Sequence, residues 1–332
     1  MTTRPERRHF LTGTTAGLVV AWTSGAHAQI KLPVVGFLIS GDKPAAGEAG
    51  RNPIVAMLRE RGWEDGRTVR FEFAYAQGRE DQYPALAADL VARKVDLIVT
   101  SGSNGALAAG RATRTIPIIA FGPDLQALGL VRSLARPEGN ITGLPNEAGA
   151  EVLAKRMELL KRAAPGIRRM AYLRNRPPAG LSAIRDETTA AARALGIELV
   201  LAPVDTPEDL EAAFRAFAHS RPDALWVAAS STNSRLRERI VKLAARERLP
   251  AVYSDRLMVE AGGLMSYAAL RAEQRRRMAD YIDKVLRGTP VADLPVQLPT
   301  RFELVINLKT ANALGLKMPQ DLLLQADEVI RD

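Results

Sequence analysis

Small polar residues recur in this chain at one kind of place, directly after short runs of β-branched and other apolar residues. Ser40 and Asp42 follow Val34-Val35-Gly36-Phe37-Leu38-Ile39. Ser101, Ser103 and Asn104 follow Val95-Asp96-Leu97-Ile98-Val99, and Asp124 follows Ile116-Pro117-Ile118-Ile119-Ala120-Phe121. Further on, Asn175 comes after the Arg169–Leu173 run, Ser230 and Ser231 after Ala224–Ala228, and Asp255 after Pro250–Tyr253. In an open parallel sheet, ligands bind beyond the carboxyl ends of the strands, which is where these residues would stand. The segment Ser101 to Gly105 opens a predicted helix, so free N–H groups and hydroxyls converge there and suit a carboxylate or other anion. Asp124 or Asp255 would balance an ammonium. The same residue types also cap helices and close turns at such junctions.

Catalytic equipment is not expected. The sequence has no Gly-x-Gly-x-x-Gly, no phosphate loop ending in Gly-Lys-Ser/Thr and no Gly-x-Ser-x-Gly elbow. Cysteine is absent, which removes disulfides, thiol nucleophiles and thiolate metal sites. Of three histidines, His9 and His27 lie in the N-terminal segment, and His219 stands at a predicted helix end, where it suits the last carbonyls. The carboxylate pairs Glu64-Asp65 and Glu80-Asp81 fall in turns or helix starts and complement the helix dipole. Such a cleft holds a molecule without converting it, with no catalytic residue, cofactor or metal.

The chain's 332 residues are too many for one domain of usual size and suit two. Hydrophobic residues make up 47% and charged residues 25%, as in soluble globular proteins with a real core. Residues 1–28 do not belong to that core. Arg7-Arg8-His9-Phe10-Leu11, an apolar stretch from Ala16 to Trp22 and the ending Ala26-His27-Ala28 together read as a signal peptide. The apolar stretch is too short to cross a bilayer core of about 30 Å. The arginine pair followed by Phe-Leu resembles the twin-arginine signal, which exports folded proteins. With cleavage near Ala28 and no cysteine for a lipid, the mature chain is expected free in the periplasm, without membrane insertion. The formal charge of +9 does not point to nucleic acid. Basic residues alternate with acids, as in Lys155-Arg156-Met157-Glu158, and Arg275-Arg276-Arg277 has Glu273 and Asp280 close by, reading as a solvated helix face.

Around the candidate residues, apolar strands alternate with amphipathic helices. Predicted helices cover 52–61, 82–93 and 106–113, between strands at 34–39, 69–75, 95–99 and 116–121. The grammar restarts with helices over 149–163, 184–195, 207–218 and 235–246, between strands at 169–173, 198–202, 224–228 and 250–253. The turn-rich stretch Arg136-Pro137-Glu138-Gly139-Asn140-Ile141-Thr142-Gly143 separates the halves. The fold class is therefore α/β, with two Rossmann-like lobes, each a parallel sheet covered on both faces.

Several longer stretches carry a resemblance. They are Leu86-Ala87-Ala88-Asp89-Leu90-Val91, Leu134-Ala135-Arg136-Pro137 with Gly139-Asn140-Ile141-Thr142-Gly143, and Glu260 through Tyr267. Leu294-Pro295-Val296, Phe302 through Ala311, and Ala326-Asp327-Glu328-Val329-Ile330 complete the set. Through them the chain from Val34 to Ile330 resembles the ABC transporter substrate-binding family related to tryptophan- and tyrosine-binding proteins. The resemblance implies a type I periplasmic-binding fold with three interlobe crossings, near Gly143, Tyr267 and Pro295-Val296. Residues 29–143 with 268–295 would form the first lobe, and 144–267 with 296–332 the second. It also implies a small-molecule ligand, an amino acid and notably an aromatic one, held between closing lobes and touched by Tyr267 at the crossing. An ABC permease in the inner membrane would read that closure. The chain departs from its relatives where ligand should sit: Gly102-Ser103-Asn104 replaces the common Gly-Thr-Pro, and Gly122-Pro123-Asp124 the frequent Gly-Asp-Pro. Ala229-Ser230-Ser231-Thr232-Asn233 likewise stands where relatives often carry a proline-containing loop. Two other readings are a periplasmic sensor presenting the same lobes to a membrane receptor, and a periplasmic enzyme. A transcriptional regulator is disfavoured, since no helix-turn-helix precedes the first lobe.

Overall fold

The computed structural model describes residues 1–2, 31–44, 52–147, 149–176 and 183–331. Apart from Met1 and Thr2, the expected export signal lies outside the described residues. From Leu32 onward the chain forms one compact unit built on two sheets.

The first sheet is wholly parallel, in the order β2-β1-β3-β4-β5. Its strands are β1 (Val34–Ile39), β2 (Arg70–Tyr75), β3 (Leu97–Ser101), β4 (Ile118–Gly122) and β5 (Ile141–Pro145). The central strands are apolar throughout because helices cover both faces. On one face α2 (Tyr83–Ala92) and α3 (Gly102–Ala112) bring Leu90, Ala106 and Ala109 against Leu38, Ile98 and Ile118. On the other, α1 (Pro53–Arg59) supplies Val55 and Leu58, packed with Val35, Phe37 and Leu97.

The second lobe follows with α4 (Ala150–Ala163), β6 (Arg169–Arg174), α5 (Ala183–Ala194), β7 (Glu198–Pro203), α6 (Pro207–Ser220) and β8 (Ala224–Val227). Next come α7 (Ser231–Arg235), α8 (Arg237–Arg246), β9 (Ala251–Tyr253), α9 (Arg256–Glu260) and β10 (Met265–Ala269). The chain ends with α10 (Arg271–Leu286), β11 (Phe302–Asn307), α11 (Leu308–Ala313), α12 (Gln320–Gln325) and β12 (Glu328–Ile330). The second sheet has the order β12-β11-β10-β9-β8-β6-β7, with β10 and β11 its antiparallel pair. Leu153, Met157 and Leu160 of α4 pack on one face around Trp226, whose ring stacks on Tyr172 at 4.0 Å. Trp226 is fully buried, so its indole N–H needs a partner, and Ser254 Oγ accepts from it at 3.2 Å. Phe214, Phe217, Ile240 and Leu243 cover the opposite face.

Three crossings join the lobes. The first follows β5. The second follows β10 and delivers α10 to the first lobe, where Met278, Tyr281 and Ile282 join the core beside α1. The third lies between Gln297, whose N–H donates to Gly143 O, and Phe302 at the start of β11. The pairings shift each boundary from its expected place. Leu144 and Pro145 belong to the first sheet, opposite Phe121 and Gly122. Ala268 and Ala269 pair with Glu303 and Phe302 in the second sheet. Val296 donates to Leu134 O and packs in the first lobe's core. The turn formers that suggested a break at 136–143 end at Asn140, and β5 begins at once. Gly143 within it is a packing glycine: a Cβ there would lie 2.2 Å from Ala120 O. Two helix starts also differ. α3 begins at Gly102 rather than Ala106, and Ser231–Arg235, expected as loop, is the short helix α7.

Helix α6 shows how local chemistry fixes an element. Thr206 accepts from Asp209 N–H while Asp209 accepts from Thr206 N–H, and Pro207 opens the first turn. The Arg176 guanidinium, bonded to Asp209, is the main reason its carboxyl falls from 3.8 to about 2. A carboxyl depressed by folding stabilises the fold above its unfolded pKa, and the increment is lost as pH falls through the folded value. The melting-temperature gap between wild type and Asp209→Asn is therefore expected to be full above pH 3.8 and to close towards about pH 2. A gap that stays constant across this window would remove the assignment.

Candidate functional site

The carboxyl ends of both sheets face one another, and the lobes touch there along a seam. Its centre is Glu80, in the 3-10 turn Glu80–Gln82 between β2 and α2. The Glu80 carboxylate accepts from Asn104 Nδ2 of its own lobe and, at 3.0 Å, from Thr232 Oγ1 of the other. Thr232 is buried, and its hydroxyl also accepts from Asn175 Nδ2 at 3.2 Å. Asn175 Nδ2 lies 2.9 Å from Asp205 Oδ1 as well. A polar chain thus runs from Asp205 through Asn175 and Thr232 to Glu80 and Asn104.

Two glycines let the lobes come this close. Gly78 has φ +72°, and the Arg235 guanidinium lies across it, with Nη1 only 1.3 Å from where a Cβ would be. Gly102, with φ +74°, faces Ser231 Oγ at 3.2 Å from its Cβ position. The first turns of α3 and α7 therefore oppose each other. Tyr83, hydrogen-bonded to Ser40, lies beside them. Burial, then the Glu80 charge, pushes its phenol up to about 12, against the Ser40 bond and Arg235. It stays a neutral hydroxyl in the physiological range.

The sequence-predicted residues divide in three. Ser40, Asn104, Asn175 and Ser231 stand at the seam as described. Ser101 occupies the N-cap of α3 without a capping side-chain bond, and Ser103 is exposed in the same turn. Ser230 spends its hydroxyl on Asn233 N–H as the cap of α7, and Asp42 is exposed. Asp124, Asp255 and Tyr267 serve other ends than those expected. The Asp124 carboxylate closes a turn, accepting from the N–H groups of Gln126 and Ala127. Asp255 caps α9 through Leu257 N–H, accepts from Ser234 Oγ, and pairs with Arg271 at 3.0 Å. The Tyr267 ring stacks on Phe302 at 5.3 Å within the second lobe's packing. Strand ends breed caps as readily as ligand contacts, and Asp124 and Asp255 hold such structural roles here. His219 is one of the residues lining a concavity with Arg176, Val200 and Phe217 on the second lobe, which holds none of the seam residues.

Glu80 itself was read as a helix-start carboxylate. The signal that marks it is the same one that marked Ser40 and Ser101: it follows the carboxyl end of a strand, here β2. Thr232 and Arg235 stand out only once Ser231–Arg235 is known to be helical.

The crossings have a polar anchor of their own. Arg156 of α4 is 1% exposed. Its Nη1 pairs with Glu147 in the first crossing at 2.6 Å, and its Nε donates to Tyr267 O, before the second, at 2.7 Å. One guanidinium thus ties two interlobe connections to the second lobe.

Known proteins share this fold. The tyrosine-binding protein of Clostridioides difficile is 26% identical over 271 residues, covering 81% of this chain and 77% of that protein. A solved structure of a conserved domain protein from Vibrio cholerae superimposes with a TM-score of 0.81 at 26% identity, over 90% of this chain and all of that one. The ABC domain from Streptococcus pneumoniae, solved in complex with L-Trp, superimposes with a TM-score of 0.80 at 26% identity and the same coverage. Two α/β lobes with three crossings form the type I periplasmic-binding fold, which other solved solute-binding proteins share. Residues 35–330, from β1 through β12, match the family described as ABC transporter substrate binding protein, and the chain belongs to that family.

Proposed function

We propose that the protein captures an amino-acid-like molecule between its lobes in the periplasm and presents the closed form to the permease of an ABC importer, without converting what it holds. The observation that carries this reading is Glu80, a carboxylate bonded from both sides of the seam by uncharged donors. It joins the lobes when they meet and offers a negative charge suited to a ligand ammonium. Ser40, Ser101, Ser103 and Asn104 line one side, with Asn175, Ser230 and Ser231 on the other, and they supply hydroxyls and amides for the remainder of the ligand. Three crossings at one edge allow a hinge, and a ligand that contacts both lobes shifts the population towards the closed form. The named ligands of the relatives, tyrosine and L-Trp, support an amino acid. The signal-like segment ending at Ala28 supports export. No helix among the described residues is long and apolar enough to cross a membrane.

The test is a thermal-shift and calorimetric screen of Gln29–Asp332 against L-tryptophan, L-tyrosine, L-phenylalanine, small carboxylates and nucleobases. Saturable stabilisation by one class is expected, about 3 kcal/mol at a hundredfold excess over Kd, with the ligand recovered unchanged. Product formation, or no stabilisation by any member, would refute the proposal.

A further inference from the structure

The basic run Arg275-Arg276-Arg277 has the composition of a solvated face, yet its three members have different surroundings. Arg276 is exposed. Arg277 is tied to Glu273, Leu298 O and Thr300. Arg275 is half-buried, and among the described residues no carboxylate or carbonyl accepts a hydrogen bond from it. It lies one helical turn after Arg271 and so on the same face of α10. Arg271 reaches across the seam to Asp255 of the second lobe, at 3.0 and 3.2 Å. Asp255 in turn holds Ser234 of α7, the helix that carries Thr232 to Glu80. Arg275 therefore stands on α10 beside the Arg271–Asp255 contact between the lobes, on the first lobe's other helical layer from Glu80.

A guanidinium withdrawn from water without a partner costs stability. The charge of Asp255 offsets part of that cost, but its carboxylate is hydrogen-bonded to Arg271 and not to Arg275. Burial, and then the like charge of Arg271, pulls the Arg275 guanidinium below its ordinary pKa. Five donors in a planar fork, kept unpaired at a closing seam, match the two oxygens of a carboxylate. We infer that Arg275 receives an ionised carboxylate of the captured molecule and makes that group a requirement for binding, while the Arg271–Asp255 pair positions it. Together with Glu80, proposed above as the partner of an ammonium, this makes the ligand class a molecule carrying both an ammonium and a carboxylate. The inference rests on the capture reading and adds the residue that selects for the acid.

The experiment measures binding of acid and amide pairs by calorimetry: L-tryptophan with L-tryptophanamide, L-phenylalanine with L-phenylalaninamide, and benzoate with benzamide. The proteins are wild type, Arg275→Met and Arg275→Lys, each from Gln29 to Asp332. At least one acid is expected to bind wild type about 30-fold or more tightly than its amide. Arg275→Met is expected to erase that preference, with Arg275→Lys restoring part of it. The unliganded Arg275→Met protein should melt at or above the wild-type temperature, because a half-buried charge without a hydrogen-bond partner is gone; a purely structural arginine would lower it. Equal binding of acid and amide, or an acid preference that survives Arg275→Met, overturns the inference and leaves capture standing. If none of the six compounds binds wild type, the capture of an amino-acid-like ligand fails, and the inference with it.

Discussion

Glu80→Ala is expected to weaken ligand binding by about a hundredfold or more, because the change removes the seam's central charge and both of its hydrogen bonds together. The fold should survive, since Glu80 lies in a short turn and contributes nothing to either core. Calorimetry on the variant, with circular dichroism as the fold check, reads both. Glu80→Gln separates two ways in which the residue could act. The amide oxygen still accepts from Thr232, so a residue that only ties the lobes together would keep most of the affinity. A residue that faces a ligand ammonium would lose nearly as much with Gln as with Ala. The second pattern is expected. Unchanged affinity in Glu80→Ala would remove the carboxylate from the site altogether.

Arg156→Met should instead act on stability, by about 3 kcal/mol or more. Methionine fills much of the volume but leaves the Glu147 carboxylate and the Tyr267 carbonyl without their partner. Removing the buried partner leaves the Glu147 carboxylate, only partly open to water, and the Tyr267 carbonyl unpaired at the crossings, which is worse than never having made the contacts. Urea denaturation of the unliganded variant tests this. Glu147→Gln should cost less, because Glu147 is 32% exposed and the amide oxygen can still accept from the guanidinium. Should Arg156→Met unfold at the wild-type midpoint, the anchoring of the crossings would rest on packing alone.

Much of the architecture was legible because periodicity and burial tell one story. Val34–Ile39 and Leu97–Val99 are apolar without a break, and only a strand covered on both faces needs that. The site was legible in kind, less so in detail. Ser40, Asn104 and Asn175 stand at the seam between the lobes, where their position after strands put them, a topological argument that needs no side-chain geometry. The Arg271 partner of Asp255 was not legible, since it lies 16 residues further on, across a crossing that local pattern cannot see. Glu80 was overlooked for a related reason: its bond to Thr232 spans 152 residues. Arg275 illustrates the limit most clearly. Its side chain makes it charged, but only the folded helix decides which of three consecutive arginines loses part of its water.

The threading of the chain through both lobes has a consequence for its birth. The first lobe lacks α10 until Leu286 has been made, and the second sheet lacks three neighbouring strands until Met265 to Ile330 have followed. Neither lobe can mature before the chain has passed Arg271, and a product truncated ahead of that residue has two unfinished halves, not one finished half and a tail. Pairings this distant in sequence are slow to form. Nascent chains would spend that interval exposing apolar strand edges, which makes them clients for holding chaperones until release.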